Sequence, residues 1–133
     1  MTYLPDTNAC IRYLNQPNSA VARKMKVTAP QDIALCSVVK MELWYGAYRS
    51  ARQADNLALL RVFFAAFRSL PFDDAAADIC GRVRAALATA GTPIGPYDLQ
   101  ITAIALANGL TLVTHNTREF SRVPGLLLED WEV

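Results

Sequence analysis

Histidine is nearly absent from this chain, which holds only His115. Cysteine is scarce too. Cys10, Cys36 and Cys80 are odd in number, widely spaced, and each set in an apolar run. No pair has zinc-ligand spacing, so the three read as reduced core residues of a cytosolic protein. A basic excess is also missing. The net charge is +1 and the pI about 7.7, so any contact with nucleic acid has to come from local patches. The N-terminus lacks a basic segment followed by a long apolar stretch, and no signal peptide is expected. The longest apolar helical stretches are broken by Arg61, or run only from after Asp98 to Gly109. Neither reaches the roughly 20 apolar residues of a membrane span. Internal repeats, low-complexity tracts and linkers are absent as well.

What is present is a chain of 133 residues, 53% apolar and 19% charged. That is enough for one domain with a real core, spanning residues 1–133, and too little for two. The punctuation is clear. Tyr3-Leu4-Pro5 reads as a short strand ending on Asp6, followed by a helix over Ala9–Leu14. Pro17 stops the chain, and Asn18 or Ser19 caps a helix to about Val27. Ile33–Cys36 is a buried-strand run, and Ser37 is a good N-cap for a helix through Glu42 to about Ser50. A helix over Gln53–Phe67 carries Leu57, Leu60, Phe64 and Phe67 at helical spacing. Leu70-Pro71-Phe72 reads as a strand. Asp73 or Asp74 caps a helix to about Ala90, with Ile79, Val83, Ala86 and Leu87 inward. Pro96 opens a helix that ends at Gly109. Leu110–Thr114 is a strand, His115–Phe120 a loop or single turn, and Leu126–Leu128 a last strand before the acidic tail Glu129–Glu132. Short strands alternating with helices predict an α/β fold with a mainly parallel sheet.

Three acids sit oddly in this pattern. Asp6 ends the first strand, at the edge where α/β sheets bind ligands, although it also suits a helix cap. Glu42 falls on an apparent apolar stripe of Val38, Met41, Tyr45 and Tyr48. A buried carboxylate is costly unless it is paired or bound to a metal. Asp98 lies in the first turn of its helix, where the helix dipole favours an acid by roughly 0.3–1 kcal/mol. Glu119 follows the late strand and either closes the same pocket or is a solvated surface acid, with Thr114 and Asn116 as polar neighbours. His115 reads as a hydrogen-bonded loop residue rather than a ligand. Hard divalent cations prefer carboxylate and water oxygens. Such a cation lowers the pKa of a bound water and stabilises charge on an attacked phosphate. The constellation therefore suits hydrolysis of a phosphodiester by water, without a serine nucleophile or catalytic histidine.

The pieces Asp6-Thr7-Asn8, Ser37 with Met41-Glu42-Leu43, Gly95-Pro96-Tyr97-Asp98, Val113 to Phe120, Val123-Pro124-Gly125 and Glu129-Asp130-Trp131 stand in order along the chain. Together they resemble the PIN-domain ribonucleases, specifically the VapC toxins of type II toxin–antitoxin systems. The resemblance implies a three-layer α/β/α fold and a Mg²⁺-dependent endoribonuclease, with Mn²⁺ able to substitute. It makes Asp6, Glu42 and Asp98 the metal-binding acidic core, with Glu119 as the fourth acid. It further implies cleavage of transfer RNA in the anticodon stem-loop, including the initiator, a homodimer, and a VapB-like antitoxin whose C-terminal segment fills a groove. Trp44, Tyr45, Tyr48, Phe63, Phe64 and Phe67 are candidates for that groove. Lys40, Arg12, Arg49 and Arg118 are candidates for RNA contact.

Pro5 departs from the pattern. It stands where an apolar residue is expected and has no N–H to give a central strand, so it is expected to end that strand early. It is the feature that favours the alternative of an inactive PIN-like module that binds RNA or a protein. A receiver-type signalling domain fits worse. It wants an aspartate after a middle strand and a lysine late in the chain, and the only lysines are Lys24, Lys26 and Lys40.

Overall fold

A computed structural model describes all 133 residues. Three strands form one parallel sheet in the order β1-β4-β5: β1 (Tyr3–Pro5), β4 (Thr111–Val113) and β5 (Leu128–Glu129). The other two, β2 (Ala34–Cys36) and β3 (Arg68–Leu70), pair in parallel beside them. A single bridge, Tyr3 to Ile33, joins the two ribbons into one surface. Every strand runs the same way, so all carboxyl ends lie along one edge. Helices α1 (Thr7–Asn15), α2 (Ala20–Val27), α3 (Ser37–Tyr48), α4 (Gln53–Ala65), α5 (Asp74–Thr89), α6 (Pro96–Ala107) and the short α7 (Thr117–Phe120) flank the sheet. This is the α/β/α arrangement that the sequence predicts.

Local chemistry explains most boundaries. Ser19 and Asp73 accept from the backbone N–H three residues on, capping α2 and α5. At the end of α6, Gly109 turns to φ 63°, a conformation that disfavours any Cβ. That turn lets Leu110 N–H reach back to the Ala105 carbonyl at 2.9 Å and closes the helix. Helix α6 is buried almost all round through Leu99, Ile101, Thr102, Ala103, Ile104 and Ala105, as a helix in the middle of a core must be. Cys10 and Cys36 are buried free thiols, and burial pushes the Cys36 thiol up to about 11.

Several expectations need correction. Strand β3 is Arg68–Leu70, so Pro71 and Phe72 lie beyond it. Ser37 does not cap α3 with its side chain; it is the first helical residue, after Cys36. Ala86 of α5 faces solvent, and of the four residues expected inward only Leu87 is fully buried. Pro5 holds its place in β1, paired with Val113. Asp6 N–H donates to the Val113 carbonyl at 2.9 Å. Backbone groups alternate along a strand, so the N–H that Pro5 lacks would have pointed away from β4. On that other side only the Tyr3 bridge is formed, and no ladder bond is lost.

Leu112 sits at the centre of β4 with no solvent exposure. Leu112→Ala is expected to cost about 3 kcal/mol of stability, read by chemical denaturation.

Candidate active site

Asp6 is reached directly from β1. It is 5% exposed, and its Oδ1 accepts from Ala9 N–H at 2.8 Å, so it is the N-cap of α1. It thus has the capping role and also lies at the sheet edge. Burial raises its pKa above the usual carboxylate range, against the opposing pull of hydrogen bonds from Thr114 and Ala9. The next residue, Thr7, donates its hydroxyl to Glu42 Oε1 at 2.8 Å, which brings α3 to the same place. Asp98 comes from the first turn of α6 and is half-buried. Its carboxyl is pushed up to about 6, first by desolvation and then by the charges of Asp6, Glu119 and Glu42. Glu119, on α7, is held at Oε2 by the Asn116 amide at 2.7 Å. Asp98 thus lies near enough to sense the charges of the three other acids named from the sequence, along the carboxyl edge of the sheet, although no three of the four bring ligand atoms within 4.8 Å of one another.

Of the stripe expected to carry Glu42, only Val38 is buried; Met41, Tyr45 and Tyr48 are 39%, 59% and 57% exposed. The inward face of α3 is Val38, Val39, Leu43 and Ala47, and Glu42 is half-buried.

No salt bridge reaches Asp6, Glu42, Asp98 or Glu119. Asp6 and Asp98 carry raised pKa values first because of burial and then because of neighbouring acidic charge. The donor set is all carboxylate oxygen, and no cationic side chain pairs with any of its members. That combination fits a hard divalent cation.

A cleft of about 580 Å³ opens beside Asp6, lined also by Asn8, Ile11, Arg12, Asn15, Gln16, His115, Asn116 and Glu132. A second groove of about 260 Å³ ends at Glu42 and runs between α1, α3 and α4, lined by Ile11, Leu14, Leu43, Ala47, Leu59 and Leu60 among others. The aromatic residues named from the sequence do not line it. Phe63 and Phe64 are buried in the core, Trp44 and Phe67 pack partly against it, and Tyr45 and Tyr48 are exposed.

The acidic tail, noted in the sequence without a role, is tied into the fold. Trp131 is buried edge-on against Tyr3, with ring centroids 5.0 Å apart. On either side of it, Asp130 bonds His115 Nδ1 at 3.0 Å and Glu132 pairs with Arg12 at 2.8 Å. One large aromatic between two acids was the available signal. The ligand atoms of His115, Asp130 and Glu132 lie within 4.8 Å of one another. Because the Arg12 guanidinium already neutralises Glu132, we read them as an ion-pair network that fastens the tail.

A parallel α/β domain that gathers unpaired carboxylates at the carboxyl edge of its sheet is the class defined by fold and site. The PIN domain family pattern matches residues 3–126. The chain is 37% identical to the tRNA(fMet)-specific endonuclease VapC of Salmonella typhimurium and 34% identical to Ribonuclease VapC2 of Rickettsia felis. The first alignment covers 98% of each chain and the second 99%. The crystal structure of DNA-bound VapBC from Salmonella typhimurium superposes with a TM-score of 0.93 over 98% of both chains. The chain belongs to the PIN-domain family, in its VapC branch. No helix is long and apolar enough to cross a membrane.

Proposed function

We propose that this protein is the toxin of a VapBC-type system: a single PIN domain over residues 1–133 that acts in the cytoplasm as a Mg²⁺-dependent endoribonuclease, with Mn²⁺ able to substitute. Its substrate is transfer RNA, the initiator included, cut in the anticodon stem-loop. The observation that carries the reading is a half-buried Asp98 that senses the charges of Asp6, Glu42 and Glu119, each from a separate element and none paired with a cationic side chain. The names of its relatives support the substrate class.

Asp6, Asp98 and Glu42 hold the metal, which when bound lowers the pKa of water and offsets charge on the attacked phosphate. Asp6 is rigid because its Oδ1 caps α1. Glu42 has one oxygen fixed by Thr7, which leaves Oε2 to ligate or to accept a proton. Asn116 holds one oxygen of Glu119 in place. Partial burial excludes competing water and strengthens each contact. The apolar groove ending at Glu42 suits the C-terminal segment of a VapB-like antitoxin, which would stop the acidic site from its open side. Two copies of the chain are expected to form a homodimer.

The test is cleavage of a transfer-RNA pool by purified, antitoxin-free protein with Mg²⁺, Mn²⁺ or EDTA. Discrete fragments that require metal support the reading. Folded protein that binds RNA but cuts under no condition moves it to the inactive binding module. Thr7→Val is expected to lower the cleavage rate about tenfold with an unchanged melting temperature, because it frees Glu42 without removing it. Thr7→Ser is expected to restore the rate.

A further inference from the structure

We infer that Arg12 and His115 form a phosphate-binding wall beside the carboxylate cluster, which grips the RNA backbone next to the bond that is cut. This rests on the ribonuclease reading above. The difficulty that it resolves is electrostatic. A polyanion must approach a site built from carboxylates, on a protein whose net charge is only +1. Attraction therefore has to be local. The cationic or cation-forming side chains that share a cleft with Asp6 are Arg12 and His115, and the amides Asn8, Gln16 and Asn116 stand with them.

Both groups are held in place. Arg12 Nη2 lies 2.8 Å from Glu132 Oε1 in an ion pair, and Nη1 donates to Gln16 Oε1 at 2.8 Å. A guanidinium has five N–H donors, so several remain for a ligand. His115 is fixed through Nδ1 by Asp130 at 3.0 Å, with Glu132 at 3.8 Å, while its side chain stays 61% exposed. With Nδ1 taken by Asp130, Nε2 is the ring nitrogen left free on the cleft wall. The two orienting acids share one rigid support. Trp131 between them is buried, and Glu132 N–H closes onto Asp130 Oδ1 at 2.9 Å. The tail thus aims two donors at the cleft that Asp6 lines. An ion-pair network serving stability alone would not need to end in free donors there.

The experiment is binding of a labelled anticodon stem-loop RNA by fluorescence anisotropy across a salt series, in an Asp98→Ala background that leaves the RNA intact. Arg12→Ala is expected to weaken binding about tenfold. It should also flatten the log–log salt slope by about 0.7, the share of one contact to a single-stranded phosphate. His115→Ala should add a second decrement. Arg12→Lys, which keeps the charge and loses the fork, should recover the slope but only part of the affinity. A folded Arg12→Ala/His115→Ala protein with unchanged affinity and slope overturns the wall. If the double variant does not fold, His115→Ala and Arg12→Lys carry the test, and wild-type affinity in both overturns it equally. The two readings fail separately. A wild type that cuts RNA while the wall variants bind normally removes only the wall. A wild type that never cuts, yet binds with a slope that the wall variants flatten, removes only the nuclease.

Discussion

Asp98→Ala is expected to lower RNA cleavage by at least about a hundredfold, and toward a thousandfold, while the protein still melts cooperatively. That range is typical of removing one preorganised electrostatic group from a reaction centre. Asp98 is the best of the four acids for this test because it has the least structural work. Asp6 caps α1 and Glu42 accepts from Thr7, so their removal also disturbs local structure. Losing the Asp6 cap alone is a cost of about 1 kcal/mol. Asp98 stands half-exposed in the first turn of α6, and its carboxylate pKa is raised to about 6 by burial and by its acidic neighbours. A group held in an unfavourable ionisation state without cationic partners is there for something outside the chain. Cleavage at the wild-type rate by Asp98→Ala, at saturating Mg²⁺, would remove it from the acidic core. Asp6→Asn is the companion variant: its amide oxygen can still cap α1 while the charge is gone, so lost cleavage with retained stability separates the two roles of Asp6.

The fold was legible where the chain carries stereochemical punctuation. Pro17, Pro96 and Gly109 act through their own backbone geometry and Ser19 and Asp73 through side-chain caps, and the elements that they bound fell close to their expected places. Strand β3 was misplaced for a physical reason. It is a three-residue edge strand paired only with β2, and Arg68 and Ser69 are exposed, so it shows neither alternation nor an apolar run. Its neighbour Leu70-Pro71-Phe72 looked more strand-like than it is. On α3 apolar residues occur on more than one face, and spacing alone cannot choose between Val38-Met41-Tyr45 and Val39-Leu43-Ala47. The choice is made by what packs against the helix, which the local sequence does not encode. Asp6, Asp98 and Glu119 could be named because each sits beside a strand end or a helix start, whereas Glu42 lies in the middle of α3 and was named from a stripe that the fold mostly leaves exposed. The pairing of Arg12 with Glu132 spans nearly the whole chain, and nothing local marks it apart from a tryptophan set among acids.

The same electrostatics predict how metal and pH act on stability. Asp98 has a folded-state value of about 6 against an ordinary 3.8. Between those values the folded state holds more protons than the unfolded chain. Stability of the metal-free protein therefore falls as pH rises through that window and levels off above about 6. The buried Asp6 carboxyl is shifted in the same direction. For Asp98 the raw shift is discounted because the group is half-exposed and screened, which leaves a penalty of about 1 kcal/mol at neutral pH. Asp98→Asn removes the group that ionises, so the metal-free variant is expected to melt about 3 °C higher than wild type at pH 7.5. At pH 4 the two should melt together. Mg²⁺ supplies the missing positive charge and binds the ionised site, so it should raise the wild-type melting temperature more at pH 7.5 than at pH 5. Asp98→Asn should respond much less to the ion. Were the metal-free wild type and Asp98→Asn to melt alike at both pH values, with Mg²⁺ adding nothing to either, the acids would be ordinary solvated surface groups. The variant that destroys catalysis is thus expected to be the one that strengthens the empty fold, as follows when a site is strained by charges that its ligand must balance.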